Sequence, residues 1–281
     1  MLSIKDFLVL TKFNLTFTVM LSTIFTFILI KGAITTDIFI PSVAVLLLGL
    51  GVCALNQYQE YEDDAKMPRT KNRPIASAKI SPNEGLMISL FLIIFSFFVI
   101  WISLGFIGVA IFISVVILYN GFYTKTKKLT VYAVIYGAIL GMIPPLIGWI
   151  VGGGEITDIR FWTICLFYFV WQIPHFWLLI LKYYKQYEKA GYKTVATTFG
   201  VQRLERITFI WLLLTLICGL FTLIAFPIDS VIILALMGLL FCYSFYSVLQ
   251  LPKTHNYIRV FIAINIYIML LMILISLDVL I

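Results

Sequence analysis

Apolar residues run along this chain in long unbroken windows, not in the short rhythms of a soluble helix or strand. Nine windows fall near 15–31, 38–56, 85–104, 106–123, 131–151, 160–181, 207–226, 230–248 and 259–277. Each approaches the roughly 20 residues that cross a hydrocarbon core about 30 Å thick. The pattern predicts an all-α membrane protein with nine transmembrane helices in a single bundle, one domain over residues 1–281 and no separate soluble module. The third and fourth windows meet at Gly105 with no polar residue between them. About 40 apolar residues are too many for one crossing, so a tight helical hairpin is expected there.

Composition agrees with this reading. A chain that is 62% hydrophobic and 12% charged, with a mean hydropathy of +1.06, lies outside the range of soluble domains. On the nine-span map every Lys and Arg except Lys31 and Arg160 falls on the side that holds the N terminus. The positive-inside rule makes that side cytoplasmic and puts the C terminus on the opposite side. The net charge of +7 is thereby a topology signal, and no nucleic-acid partner is indicated. The opening MLSIKDFLVLTKFN runs into the first span without a cleavable-signal or transit pattern, so a cell inner membrane of bacterial type is the expected location. Cys53, Cys165, Cys218 and Cys242 lie in apolar windows without CxxC spacing, and are expected to be small buried hydrophobes.

Polar chemistry collects at two long connections, 57–84 and 182–206, both cytoplasmic on this map. Asn56, Glu60 and Asp64 stand four residues apart where the second span ends, which puts their side chains on one face of a helix. Lys66, Arg69, Lys71 and Arg73 follow. Mg²⁺ takes hard oxygen ligands and usually one or two carboxylates, with water and phosphate filling its shell. Arg69, Lys71 and Arg73 could pair with the phosphates, so the pattern suggests a divalent metal holding a diphosphate. A solvated helix end with a positive-inside cluster explains the cations equally well, but explains Asn56 and Glu60 poorly.

Trp171 to Trp177 reads WQIPHFW and carries the one histidine inside a span, with Pro174 expected to kink the helix. His175 could meet a substrate, carry a proton, or simply bond to a neighbouring helix. Lys182, Lys185 and Lys189 in the following loop could bind phosphate or mark a headgroup boundary. Pro144 and Pro145 break the fifth window, and such a break is tolerated where protein or a cavity receives the freed backbone groups.

The blocks NQYQEYEDDAKMPRTKNRP, YTKTKKLT, PPLIGW, WQIPHFW and YEKAG together resemble the protoheme IX farnesyltransferase (haem O synthase) branch of the UbiA-type intramembrane prenyltransferases. The resemblance implies nine helices around a central cavity open near the cytoplasmic face, with Mg²⁺ as cofactor and farnesyl diphosphate and haem B as substrates. Carried over by position, Asn56, Glu60 and Asp64 would be the catalytic and metal-holding residues. Arg69, Lys71, Arg73 and Lys185 would bind diphosphate, with His175 and Trp171 on the haem side. A haem A synthase or other oxidase-assembly protein is the implied partner. Three positions depart from the family pattern: Glu60 stands for the usual Asp, Gln186 for the acid before the second-loop Tyr187, and Phe13-Asn14 for Pro-Arg. Prenylation of a quinone precursor or other polycyclic acceptor is the alternative within enzymes. A non-catalytic haem-handling or transport paralogue is the alternative outside them.

Overall fold

The computed structural model describes residues 3–192 and 194–281; Lys193, one of the cations that the positive-inside reading puts on the cytoplasmic side, lies outside the described residues. The described residues form helices and connecting turns only. In chain order the helices are α1 (Ile4–Leu10), α2 (Phe13–Lys31), α3 (Phe39–Lys66), α4 (Pro82–Val116), α5 (Thr124–Thr126), α6 (Ala133–Val151), α7 (Ile159–Lys189), α8 (Val195–Phe199), α9 (Val201–Ala225), α10 (Val231–Leu249), α11 (Leu251–Thr254) and α12 (Tyr257–Leu280). A wider-wound π segment, Ile117–Tyr123, joins α4 to α5.

Eight stretches among the described residues are long and apolar enough to cross a membrane, where the windows predict nine. The difference lies in one 45-residue stretch, Pro82–Thr126. Gly105 interrupts it with φ 55° and ψ −142°, a conformation open to glycine and costly for any residue with a Cβ. Beyond that break, a Cβ on Gly108 would lie 2.7 Å from Ile100 Cγ1. Eight residues of straight helix span about 12 Å, so the chain folds back on itself at Gly105.

In the bundle α3 packs on α4, α2 on α6, α6 on α7, and α7 on α9, while α12 touches α2, α7 and α10. Without water to drive association, helices in lipid meet through small residues and hydroxyls. Gly148 shows this, since a Cβ there would sit 2.0 Å from the Thr23 carbonyl of α2. Buried Ser96, Thr208 and Thr215 return their hydroxyls to carbonyls of their own helices, the usual solution where water is absent. The outer faces carry exposed Phe91, Ile94, Phe98, Phe106, Val231 and Leu239, a lipid-facing surface. Cys53, Cys165 and Cys218 are buried as expected, but Cys242 is exposed. It stands on the outer face of α10, where a window that is apolar nearly all round has one side turned to lipid, a choice of side that hydropathy does not record. α6 runs through Pro144 and Pro145 without ending, and Pro145 is buried.

The first long connection folds back onto the helix it leaves. Ile75 and Ile80 bury themselves with Leu10 and Ala54, and a Ser81–Glu84 capping box then starts α4. That return brings the 67–80 segment alongside the polar end of α3.

Candidate active site

Asn56, Glu60 and Asp64 are 1%, 3% and 2% exposed. Buried carboxylates persist only when paired or hydrogen-bonded, and each of these has its cation. Lys127 Nζ donates to Glu60 Oε2 at 2.6 Å, and Arg73 Nη1 to Asp64 Oδ2 at 2.6 Å. Lys12 Nζ donates to Asn56 Oδ1 at 3.1 Å. The Asn56 amide donates to Glu60 Oε2 at 3.0 Å and to Thr124 Oγ1 at 3.1 Å. One turn further out, Asp63 pairs with Lys128 and with Lys66. Tyr192, across the second loop, points its hydroxyl at Glu60 Oε1 from 3.5 Å.

Local structure explains the convergence. α3 supplies a straight i, i+4 row. The π segment presents Asn120 to it, whose amide bonds the Val52 carbonyl and Gln59 Oε1, and the same segment delivers Thr124, Lys127 and Lys128. Such π turns recur at functional sites because they re-aim side chains. Lys12 caps α2 from a left-handed conformation, φ 50°, while Gln57 ties α3 to the end of α1 through the Val9 and Leu10 carbonyls.

The balance of charge points to an anion. Five cations, Lys12, Lys66, Arg73, Lys127 and Lys128, bond to this row and its neighbour, which hold three carboxylates, Glu60, Asp63 and Asp64. Burial pushes the pKa of the Lys12 ammonium down, so charge there is held at a cost that a bound anion relieves. Burial and the nearby carboxylate of Glu60 push the Tyr192 hydroxyl up, which keeps it a proton donor.

Of the residues expected from the sequence, Asn56, Glu60, Asp64 and Arg73 come together. Arg69 takes a different place. It is exposed, lies over the rings of Tyr183 and Tyr187 at 5.4 and 5.7 Å, and donates to Tyr187 Oη at 3.0 Å. It therefore bridges the two long loops. Lys71 and Lys185 are exposed, and Lys185 lies 6.0 Å over the ring of Tyr184. Neither approaches the carboxylates in an ion pair among the described residues. Trp171 and His175 do adjoin, with ring centroids 4.8 Å apart, and His175 Nδ1 lies 3.0 Å from Asn265 Oδ1 of α12. Phe176 and Tyr123, 6.0 Å apart, connect this aromatic group to Lys127, which lies 5.5 Å over Tyr123.

Lys12, Thr124, Lys127, Lys128 and Tyr192 are the contributors the sequence reading did not assign. The one signal for Lys127 and Lys128 is the YTKTKKLT run itself, a cationic stretch at a span end with no acid of its own.

Asn56, Glu60 and Asp64 are three buried side chains on one helix face that offer oxygens of the hard type a divalent cation takes, and in this structure those oxygens accept from Lys12, Lys127 and Arg73. Gln186 Oε1, near the end of α7, is a buried oxygen without a hydrogen-bond partner among the described residues.

An all-helical bundle of membrane-spanning length with a buried carboxylate row, ringed by cations at one end, defines a class of membrane proteins that can hold a charged group at the end of an apolar interior. The UbiA prenyltransferase family model matches residues 17–272, and the chain belongs to that family. Among curated relatives, the protoheme IX farnesyltransferase of Nitratidesulfovibrio vulgaris strain DP4 is 32% identical over 209 residues, covering 74% of this chain and 73% of the relative. That of Ehrlichia ruminantium strain Welgevonden is 31% identical over 279 residues, covering 95% and 92%. Among solved structures, a UbiA homologue from Archaeoglobus fulgidus bound to GPP and Mg²⁺ superposes with a TM-score of 0.73 at 13% identity, covering 98% of this chain and 99% of that one. The apo UbiA homologue from Aeropyrum pernix K1 gives 0.76 at 14% identity, covering 95% and 97%. At these identities the structures show the fold.

Proposed function

We propose that this prenyltransferase transfers the farnesyl group of farnesyl diphosphate to a vinyl group of haem B, giving haem O. The observation that carries it is the buried Asn56–Glu60–Asp64 row, held by cations from three separate segments, in a chain whose relatives are protoheme IX farnesyltransferases.

Asn56, Glu60 and Asp64 are the residues that would hold Mg²⁺, which lowers the cost of negative charge building on a departing diphosphate. Lys12, Arg73 and Lys127 surround the same place and neutralise the phosphate oxygens as the allylic carbon–oxygen bond breaks. Diphosphate leaves with the bonding electrons. The vinyl π electrons then close the new carbon–carbon bond to the farnesyl C1, water adds to the carbon left positive beside the porphyrin, and that water loses one proton. The aromatic run Tyr123, Phe176, His175 and Trp171 leads from the anion end to the acceptor side and shields the allylic cation from stray water. The acceptor occupies a central cavity open near the cytoplasmic face.

The same reading puts the chain in a cell inner membrane with nine crossings, the helices before and after Gly105 each crossing once. The N terminus is then cytoplasmic and the C terminus opposite, and an oxidase-assembly protein such as haem A synthase is the receiving partner. A reporter fused at the C terminus tests the count, because eight crossings would return it to the cytoplasm.

The activity is tested by supplying purified protein with Mg²⁺, farnesyl diphosphate and haem B and weighing the product. Hydroxyethylfarnesyl haem is expected. Its absence from protein that prenylates a quinone precursor would move the acceptor to that class.

A further inference from the structure

His175 and Asn265 form a pair whose hydrogen-bond roles are fixed by a third group. The Asn265 amide nitrogen donates to the Phe261 carbonyl of its own helix at 2.5 Å. A main-chain carbonyl only accepts, so the amide NH₂ faces Phe261 and Oδ1 faces His175 Nδ1, 3.0 Å away. Oδ1 also only accepts, so the proton must sit on Nδ1. The neutral imidazole in that tautomer carries its lone pair on Nε2, which has no hydrogen bond among the described residues.

The ring is also held in orientation. Trp171 and Phe261 lie with centroids 4.8 Å from it on two sides, and Phe176 meets it edge-on at 5.5 Å. Trp171 Nε1, next to it, is buried without a hydrogen-bond partner among the described residues. Pro174 precedes His175 inside α7 and cannot donate to the carbonyl four residues back, which loosens the helix at this turn. A histidine whose far nitrogen donates to an amide or carboxylate oxygen, leaving the near one bare, is the usual preparation for binding a metal. The flat aromatic surroundings suit a planar macrocycle around that metal.

Resting on the haem acceptor reading above, we propose that Asn265 is a positioning residue that locks His175 as its Nδ1–H tautomer, so that Nε2 ligates the iron of the incoming haem. The acceptor is then anchored through its metal, and the vinyl edge is turned by the same ring toward the diphosphate end.

The test is titration of the full-length protein in detergent with haem B, read by its absorption spectrum, beside titration with metal-free protoporphyrin IX. Wild type is expected to give a saturable, imidazole-ligated haem spectrum. His175→Ala should lose that spectrum while still binding the metal-free porphyrin. Asn265→Ala should weaken haem binding roughly tenfold, within the range seen when such outer partners are removed, and leave metal-free porphyrin binding unchanged. Asn265→Asp, which keeps an accepting oxygen, should restore haem binding. The proposal is overturned if His175→Ala leaves the haem spectrum intact, if Asn265→Ala weakens both porphyrins alike, or if Asn265→Asp behaves as Asn265→Ala. Formation of hydroxyethylfarnesyl haem by a His175→Ala protein with an unaltered spectrum would overturn the ligation and leave the transferase reading standing. No haem binding and no haem product from wild type would overturn both.

Discussion

The two long loops of this protein meet over one site but bring opposite chemistry to it. The first, with the end of α3, supplies carboxylates that are buried and individually paired with cations. The second supplies Tyr183, Tyr187 and Tyr192, the buried Gln186 oxygen and exposed lysines; its acids flanking that turn include only Glu188, which is exposed. The two loops are therefore not equivalent halves of one site. The paired charges belong to the first loop, while the second closes over it with rings and hydroxyls.

The sharpest way to break that comparison is to remove one acid from each side. Asp64→Asn keeps the shape but not the charge, and should lower the rate of prenyl transfer by roughly 10²–10³, the scale of losing one preorganised electrostatic group. Glu188→Gln, on an exposed turn, should change it by less than about twofold. Steady-state rates at saturating Mg²⁺ for both variants make the comparison, and equal losses would end the asymmetry.

Lys12 provides the next largest effect. Its pKa is lowered by burial, whereas an ordinary lysine titrates near 10.4. A bound anion favours the charged ammonium, so binding takes up a proton once pH passes the lysine's value in the free protein. Affinity for the prenyl diphosphate must therefore fall as pH rises through that point and be complete below it. KM measured on the alkaline limb should climb by about tenfold per pH unit beyond it. Lys12→Arg, which stays charged, should flatten the limb.

Gln186→Asp sharpens the comparison from the other direction. If the second loop offers only a neutral oxygen, a carboxylate in its place should tighten the divalent ion. The half-saturating Mg²⁺ concentration should drop severalfold, since ligand charge sets such affinities. An unchanged Mg²⁺ dependence would show that this side chain does not reach the ion.

The difference between the loops also decides how much the sequence could reveal. The row at positions 56, 60 and 64 is local: spacing alone puts three side chains on one helix face, and Arg73 is only nine residues from its partner. The groups that complete the site arrive from far away, Lys12 from 44 residues before Asn56, Lys127 from 67 after Glu60 and Tyr192 from 132 after it. No periodicity records which cation closes on which acid; that follows from the fold-back of α4 and the π segment. The membrane-spanning windows were legible because hydropathy is a one-dimensional property. The hairpin at Gly105 was legible only as excess length, and the lipid exposure of Cys242 not at all. The bonding of His175 to Asn265, 90 residues apart, is of the same non-local kind.

Arg69 joins the two regions, and its effect should be the smallest. It lies over Tyr183 and Tyr187 and donates to one hydroxyl, yet it is exposed, so the contact is worth about 0.5–1 kcal/mol. Arg69→Ala should leave the acids of α3 and their own partners in place, because Asp64 keeps Arg73 and Glu60 keeps Lys127. What it should loosen is the second loop alone. Amide hydrogen exchange over 183–192 is expected to speed by about threefold, the factor that such an energy implies when opening is local, with 56–64 unchanged. Faster exchange in both segments would mean that the loops move as one body, and the division of labour between them would then be a difference of chemistry without a difference of mobility.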